Sequence, residues 1–170
     1  MFKPTGSYFI DQAAAEAAVK MALPLIEQAM QQPKVSESGF LYIVVMNPAL
    51  PPGRASFEEA ILYEHALGDR RQWDADYAKF ARGKARVSWE TGLDSHLVQQ
   101  TRPYLLRSGD TVPWGSVVVD GLTVGVSGAH PWYDEAFAGA IAMCLRAIAK
   151  ERLQIELAQD TAFLRPSTEL

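Results

Sequence analysis

Lys84 is the residue of this chain whose position most directly suggests chemistry. It shares one helical stripe, at spacings i, i+4, i+7, i+11 and i+14, with four apolar residues: Trp73, Tyr77, Phe80 and Val87. The spacing therefore predicts that Lys84 faces the core, where an unpaired ammonium group is costly. The side chain must extend to an edge, pair with a carboxylate, or serve a ligand pocket. A structural role and a ligand-binding role both follow from this pattern.

A second candidate is the segment 125–128, with the sequence Gly-Val-Ser-Gly, which lies just before the start of a predicted helix. Backbone N–H groups at a helix N-terminus, together with the Ser127 hydroxyl, can receive an anion such as a carboxylate or a phosphate. Gly128 and its neighbours can equally form a tight strand-to-helix turn in which glycine relieves crowding. Ser127 lacks the Gly-x-Ser-x-Gly context of a nucleophile elbow.

The histidines are His65, His96 and His130, and no two of them have the spacing of a preformed metal site. Each could act as a single metal ligand, or could be an ordinary surface or capping residue. His130 is the best placed because it follows the Ser127 turn, and His65 lies near the end of a possible strand. Cys144 is the sole cysteine, which excludes an internal disulfide and a thiolate zinc site.

The charge of the chain is acidic overall, with one basic region. Sixteen Lys and Arg against twenty Asp and Glu give a net charge of −4, which argues against non-specific binding to nucleic acid. Six basic residues nevertheless fall within 70–86: Arg70, Arg71, Lys79, Arg82, Lys84 and Arg86. They form either a solvated helix face or an anion-binding patch.

The first half of the chain predicts a helix, a buried strand and a second strand. Asp11 is a good N-cap for a helix over 11–32, which Pro24 should kink or divide. The apolar run 40–46 predicts a buried strand, and the prolines of 47–53 predict a loop. The segment 56–67 has features of both helix and strand, and we interpret it as a strand.

The second half predicts helices around a hairpin. Apolar spacing indicates a helix over 73–89, and Asp94 can cap a short helix over 94–100. Asp120-Gly121 is a strong hairpin turn signal between two β-branched runs. Pro131 suits the first turn of a last helix, and we expect 161–170 to be a loose tail. Helices beside one antiparallel sheet make this an α+β domain.

Two elements of the sequence resemble the haem-degrading-domain family, the GlcG/HbpS-like proteins. The run Gly-Val-Ser-Gly at 125–128 is followed by Asp134-Glu135 and an alanine-rich helix, and Lys84-Ala85 resembles the lysine-bearing helix of that family. The spacing is most similar to an uncharacterised cytosolic branch. That branch has a tryptophan four residues before its lysine, where this chain has Phe80.

The resemblance implies a profilin-like antiparallel sheet flanked by helices, in one domain over 8–153 with an extension or tail over 154–170. It also implies a strand over 59–65, assembly into a symmetric homo-oligomer, and relatives of which some bind or degrade haem. Trp114 and Trp132 are candidates for the subunit interface. With no visible signal peptide or membrane span and a lone cysteine, we expect a cytoplasmic protein.

Two functions remain open at this point. In the first, the chain binds haem or a comparable anionic ligand near five residues: Lys84, Ser127, Gly128, His130 and His65. In the second, it is a non-catalytic oligomeric scaffold or adaptor that binds a partner protein. The sequence contains no acid–base pair or nucleophile constellation, so whether the chain is an enzyme stays open. Neither function involves nucleic acid or a membrane.

Overall fold

Helices cover both faces of one antiparallel sheet in the computed structural model, which describes residues 6–159 and 163–164. The helices are α1 (Gln12–Met30), α2 (Tyr77–Thr91), α3 (Ser95–Thr101) and α4 (Pro131–Leu157). The strands are β1 (Leu41–Met46), β2 (Ile61–Leu67), β3 (Ser116–Val119) and β4 (Leu122–Ser127), in the order β2-β1-β4-β3. The predicted α+β class, an antiparallel sheet flanked by helices, is confirmed.

Strand β1 lies at the centre of the sheet and is buried on both faces. Leu41, Ile43 and Val45 belong to the core formed with α1 and α4. Tyr42 and Val44 belong to the smaller core under α2. Since both faces are covered, the sequence of β1 is a continuous apolar run rather than an alternating one. The predicted buried strand over 40–46 is confirmed.

The ambiguous segment 56–67 divides into a turn and a strand. The turn before β2 is closed by Ser56 and Glu59, whose carboxylate accepts hydrogen bonds from the Ser56 N–H at 2.9 Å and from the Ser56 hydroxyl at 2.8 Å. This local pairing is typical of a helix start and accounts for the helical appearance of the sequence. The strand begins at Ile61, two residues after the predicted start at Glu59.

Helix α2 begins later than the sequence predicts. The residues before it form a short 3₁₀ turn, Arg70–Gln72, capped by the Asp69 side chain. Asp76, not a residue near Trp73, caps α2 by accepting a hydrogen bond from the Lys79 N–H at 3.0 Å. The predicted start at position 73 is therefore wrong, because Asp69 caps a separate 3₁₀ turn and Asp76 caps the helix that follows it.

The buried face of α2 also differs from the predicted stripe. Phe80 is 41% exposed, whereas Ala81 and Ala85 are fully buried against the sheet. A Cβ atom added to Gly125 of β4 would lie 2.7 Å from Ala85 Cβ and 2.8 Å from the Ala81 carbonyl oxygen. Helix and strand approach so closely that only small residues fit between them. The prediction that Phe80 is buried is wrong for this reason.

The remaining elements follow the sequence more closely. Asp11 caps α1 by accepting a hydrogen bond from the Ala14 N–H at 2.8 Å, and α1 continues through Pro24 without division. The hairpin turns at Asp120 and Gly121, whose φ angles of 50° and 82° fit the turn that this dipeptide favours.

The last helix begins at Pro131, as predicted, and continues beyond position 153 to Leu157. Most of the predicted tail over 161–170 lies outside the described residues. Across the ranges 6–159 and 163–164, no helix combines the length and the apolarity that a membrane span requires.

Candidate functional site

Lys84 is buried at the junction of α2, β4 and α4. Its side chain projects from the sheet-facing side of α2, and the residue is 2% exposed. The ammonium Nζ donates to Asp134 Oδ2 at 2.7 Å and to the Ser127 hydroxyl at 3.2 Å. A core-facing lysine is expected to extend to an edge, to pair with a carboxylate, or to serve a ligand pocket. Lys84 pairs with a carboxylate.

Asp134 completes this buried ion pair from the first turn of α4. Its Oδ1 accepts a hydrogen bond from the Ala129 N–H at 2.9 Å. Burial raises the pKa of the Asp134 carboxyl to about 6, against the opposing effects of the Lys84 ammonium and the N–H groups of Ala129 and Gly128. Asp134 is the anion that the Lys84 ammonium and the turn before α4 bind, and it belongs to the chain itself.

Glycines allow the elements around this pair to meet. Gly115 has a φ of +145°, and an added Cβ would lie 2.6 Å from Asp134 Cβ and 3.2 Å from Lys84 Nζ. Gly128 has a φ of +147°, and an added Cβ would collide with the Phe40 carbonyl oxygen. The turn at Gly128 is therefore both the tight turn and the anion site that the sequence allows. The anion that occupies it is the Asp134 carboxylate.

The rings of the predicted ligand-binding histidines are not hydrogen-bonded to the ion pair, although the His130 carbonyl accepts the Asp134 N–H at 2.9 Å. His130 precedes α4, donates its backbone N–H to the Val35 carbonyl at 3.0 Å, and stacks its ring on Trp132. A depression of about 260 Å³ beside His130 is lined by two carboxylate residues, Glu37 and Asp74, and by no Lys or Arg. That lining does not favour an anion.

His65 lies on the opposite side of the sheet. It pairs with Ile43, whose side chain belongs to the α1 and α4 core, whereas Ser127 pairs with Tyr42 of the α2 core. Burial lowers the pKa of the His65 imidazole. The structure thus brings together Lys84, Ser127 and Gly128, leaves His130 at the adjoining turn, and separates His65.

A larger cleft, of about 580 Å³, opens on the outer side of α2. We call it the basic cleft, because its walls include four of the six basic residues noted in the sequence: Arg70, Lys79, Arg82 and Arg86. Phe80 and Thr111 also line it, together with three carboxylate residues: Glu58, Asp76 and Asp110. Its volume is within the range of small-molecule sites, about 300 to 1,000 Å³.

The cations of the basic cleft differ in how far their charge is compensated. Arg82 is engaged by Glu64 through two bonds of 2.6 and 2.7 Å. Arg70 lies over the Trp73 ring at 4.9 Å, a contact that leaves its charge without an opposite partner. Arg86 Nε lies 4.0 Å from the nearest carboxylate oxygen, that of Glu90. Among the described residues, Arg70 and Lys79 are thus the cleft cations without a carboxylate partner.

Thr111 contributes a polar atom that no sequence pattern predicts. Its Oγ1 is buried and has no hydrogen-bond partner within the described ranges, although the residue lines the basic cleft. Gly83 allows this close approach, since an added Cβ would lie 3.1 Å from Thr111 Cβ. A buried hydroxyl without a partner calls for an explanation, and a bound ligand is one.

Haem is the cofactor that the sequence resemblance implies, and the residues fit it only in part. The cations of the basic cleft suit the carboxylates of haem, but none of the residues lining that cleft is a histidine. His130 lies instead at the acidic depression. Among the described residues, no group of three or more His, Cys, Asp and Glu is arranged to hold a metal ion.

Comparison with known proteins identifies solved structures that share the fold of this chain. No family model matches the sequence, and no curated protein matches it significantly. Klebsiella pneumoniae protein ORFY, a DUF336 structure, superposes with a TM-score of 0.53 at 17% identity, over 86% of this chain and 97% of its own. The fold is shared with ORFY. The Ybr137w protein is also similar, with a TM-score of 0.52 at 12% identity, over 82% of this chain and 78% of its own. At these identities the likeness concerns architecture.

Proposed function

We propose that this chain is a small-ligand-binding protein of the haem-degrading-domain type, GlcG/HbpS-like, and that its ligand is an anion held in the basic cleft. One observation carries the proposal: four cations line a cleft of about 580 Å³, and two of them, Arg70 and Lys79, have no carboxylate partner among the described residues. The likeness of fold to a DUF336 protein supports the family, as do the Gly-Val-Ser-Gly turn and the lysine-bearing helix.

In this proposal Lys84, Ser127 and Gly128 do not contact the ligand, and they affect its binding by holding one wall of the cleft in position. The buried ion pair fixes α2 against β4 and the start of α4. Because Lys79, Arg82 and Arg86 project from the same helix, that attachment sets the position of one wall of the cleft. Lys84 is thus a positioning residue and Lys79 a contact residue.

A titration with haem, followed in the Soret band, tests the proposal. We expect a saturable shift with one site per chain, weakened about tenfold or more in Lys79→Ala/Arg86→Ala, because each lost charge-assisted bond is worth about 1.5 to 3 kcal/mol. Lys150→Ala/Arg102→Ala is the matched control, since both of these residues are exposed cations that do not line the cleft.

The same pair of variants is then titrated with inorganic phosphate. Equal affinity of the cleft and control variants for haem and for phosphate would contradict anion binding in the basic cleft. His130→Ala separates iron ligation from anion capture: if His130 holds the iron, this variant loses the Soret shift while phosphate binding persists.

The alternative function is a non-catalytic oligomeric scaffold, and exposed apolar side chains favour it. Met21 and Leu25 of α1 are 59% and 58% exposed, and Trp132 of α4 is 55% exposed. We propose that such residues are covered in a closed homo-oligomer, which is compatible with either function. Sedimentation that finds only an 18.7 kDa species at micromolar concentration would contradict it. We further propose that the protein is cytoplasmic, on the strength of its single cysteine.

A further inference from the structure

We infer that the ligand of the basic cleft is a free mononucleotide: a phosphate monoester joined to a flat ring that carries hydrogen-bond donors. The inference rests on the proposed function and narrows the class of anion. Three features of the cleft wall carry it, namely cations without a close carboxylate partner, an exposed aromatic ring, and hydrogen-bond acceptors without a partner among the described residues.

The cations set the charge and position of the anionic group. Lys79 and Arg86 are seven positions apart on α2, about 10 Å along the helix axis at 1.5 Å per residue. Arg82, between them, is held by Glu64. Arg86 therefore offers its fork of N–H donors, and Lys79 a point charge, to a compact multivalent anion. A phosphate monoester suits this pair, because arginine binds phosphate oxygens in a bidentate way.

The aromatic ring indicates a flat apolar part of the ligand. Phe80 is 41% exposed on the side of α2 that lines the cleft. Its two neighbours in the chain are Lys79, also in the cleft, and Ala81, which is buried against the sheet. Arg70 adds a second flat surface to the same cleft. A nucleobase stacks on phenylalanine and on guanidinium planes alike, whichever base it is.

The acceptor groups indicate that the ligand also donates hydrogen bonds. Glu58 lines the cleft, and none of the described side chains forms an ion pair or a hydrogen bond with its carboxylate. The Thr111 hydroxyl, which can accept as well as donate, is buried without a partner. Ribose hydroxyls and exocyclic amino groups supply such donors. The periphery of haem supplies no such donors. A mononucleotide would therefore contact the cations, the aromatic ring and the acceptor groups, whereas haem would contact only the cations and the ring.

Calorimetric titration of the full chain tests this inference with AMP, GMP, CMP and UMP. Adenosine lacks the phosphate and ribose 5-phosphate lacks the base. We expect one mononucleotide per chain, and at least tenfold weaker binding of each truncated probe. Phe80→Leu should weaken the mononucleotide about tenfold, by loss of stacking, and leave ribose 5-phosphate unchanged. Tyr104→Leu is the control, since Tyr104 is 78% exposed and does not line the cleft.

Thr111→Val provides a second, independent variant. Since Thr111 Oγ1 bonds to no described residue, its loss should leave the thermal midpoint unchanged or raise it. Mononucleotide affinity should fall about fivefold, within the worth of one neutral hydrogen bond. If Thr111→Val binds the mononucleotide as the wild type does and only unfolds earlier, the hydroxyl has a structural role and the inference loses that support.

The outcomes distinguish this inference from the proposed function. If haem or phosphate binds in a manner sensitive to Lys79→Ala/Arg86→Ala while no mononucleotide binds, the inference is wrong and the proposed function stands. If no anion is sensitive to that variant, both are wrong. If neither Phe80→Leu nor Lys79→Ala/Arg86→Ala changes the affinity for the mononucleotide, the mononucleotide binds elsewhere and the inference is wrong. A short single-stranded RNA that binds more tightly than any mononucleotide overturns it as well.

Discussion

Helix α2 carries cations on both of its faces, and the two faces differ in how far these cations are buried and paired. On the inner face, Lys84 is fully paired with Asp134 and Ser127 and closed off from solvent. On the outer face, Lys79 and Arg86 line an open cleft, Lys79 with no carboxylate partner among the described residues and Arg86 with only the 4.0 Å contact to Glu90. Lys79 and Lys84 are the same residue type, and only their register on the helix separates a buried, paired charge from an exposed one. Removing a cation should therefore affect stability on one face and binding on the other.

Asp134→Ala should have the largest effect on stability. It leaves the Lys84 ammonium buried without an opposite charge, which costs about 3 to 5 kcal/mol in the free energy of unfolding. Denaturant unfolding measures it. The double variant Lys84→Met/Asp134→Leu should recover most of the loss, because an apolar pair needs no charge compensation. A double variant no more stable than Asp134→Ala would show that packing, not charge, holds this junction.

Lys84→Met should give a loss of stability that depends on pH. Burial already raises the pKa of Asp134 to about 6, and removing Lys84 raises it further. A carboxyl whose pKa is raised by folding disfavours the folded state above that pKa, and the folded state recovers as pH falls and the carboxyl takes up a proton. The difference in unfolding free energy between variant and wild type should therefore be larger at about pH 8 than at about pH 5. A difference independent of pH would contradict the role of Asp134.

Gly125→Ala should weaken the contact that brings α2 to the sheet. The added methyl would lie 2.7 Å from Ala85 Cβ, with backbone of α2 close beside it, so the helix must shift. Such overpacking costs about 1 to 3 kcal/mol. Gly139→Ala is the matched control, because an added Cβ at Gly139 meets nothing within 4 Å. Equal thermal midpoints for the two variants would show that the close approach of α2 and β4 contributes little.

Lys79→Ala/Arg86→Ala should have the smallest effect on stability. Both side chains are exposed, and the one carboxylate near Arg86, that of Glu90, is bound more closely by Arg107 at 2.8 Å. The free energy of unfolding should change by less than about 0.5 kcal/mol, although anion binding falls. A large loss of stability in this variant would remove the contrast between the two faces.

The sequence predicts much of the inner face and less of the outer one. Periodicity identified Lys84 as core-facing and left open the carboxylate that it contacts. Asp134 lies fifty positions further on, and its place in a first helical turn is explained equally well by the helix dipole. Only the packing of α4 against β4 brings the two charges together, and no local pattern encodes that packing.

The errors on the outer face have a single physical source. The spacing predicts Phe80 on the buried stripe, because large apolar residues usually lie in the core. Here Gly125 draws α2 so close to the sheet that Ala81 and Ala85 fill the space, and Phe80 turns outward into the cleft. The basic cluster was visible in the sequence, but the orphaned Thr111 hydroxyl depends on a loop that is distant in the chain.

The enclosure of Lys84 has a consequence for the reactivity of its amine. An acylating reagent needs an accessible, uncharged amine, and Lys84 is neither while Asp134 holds it. In the native protein such a reagent should modify exposed lysines such as Lys20, Lys79 and Lys150. Lys84 becomes reactive only when α2 separates from the start of α4. The rate at which Lys84 is modified thus reports how often that junction opens, in a protein that carries no added probe.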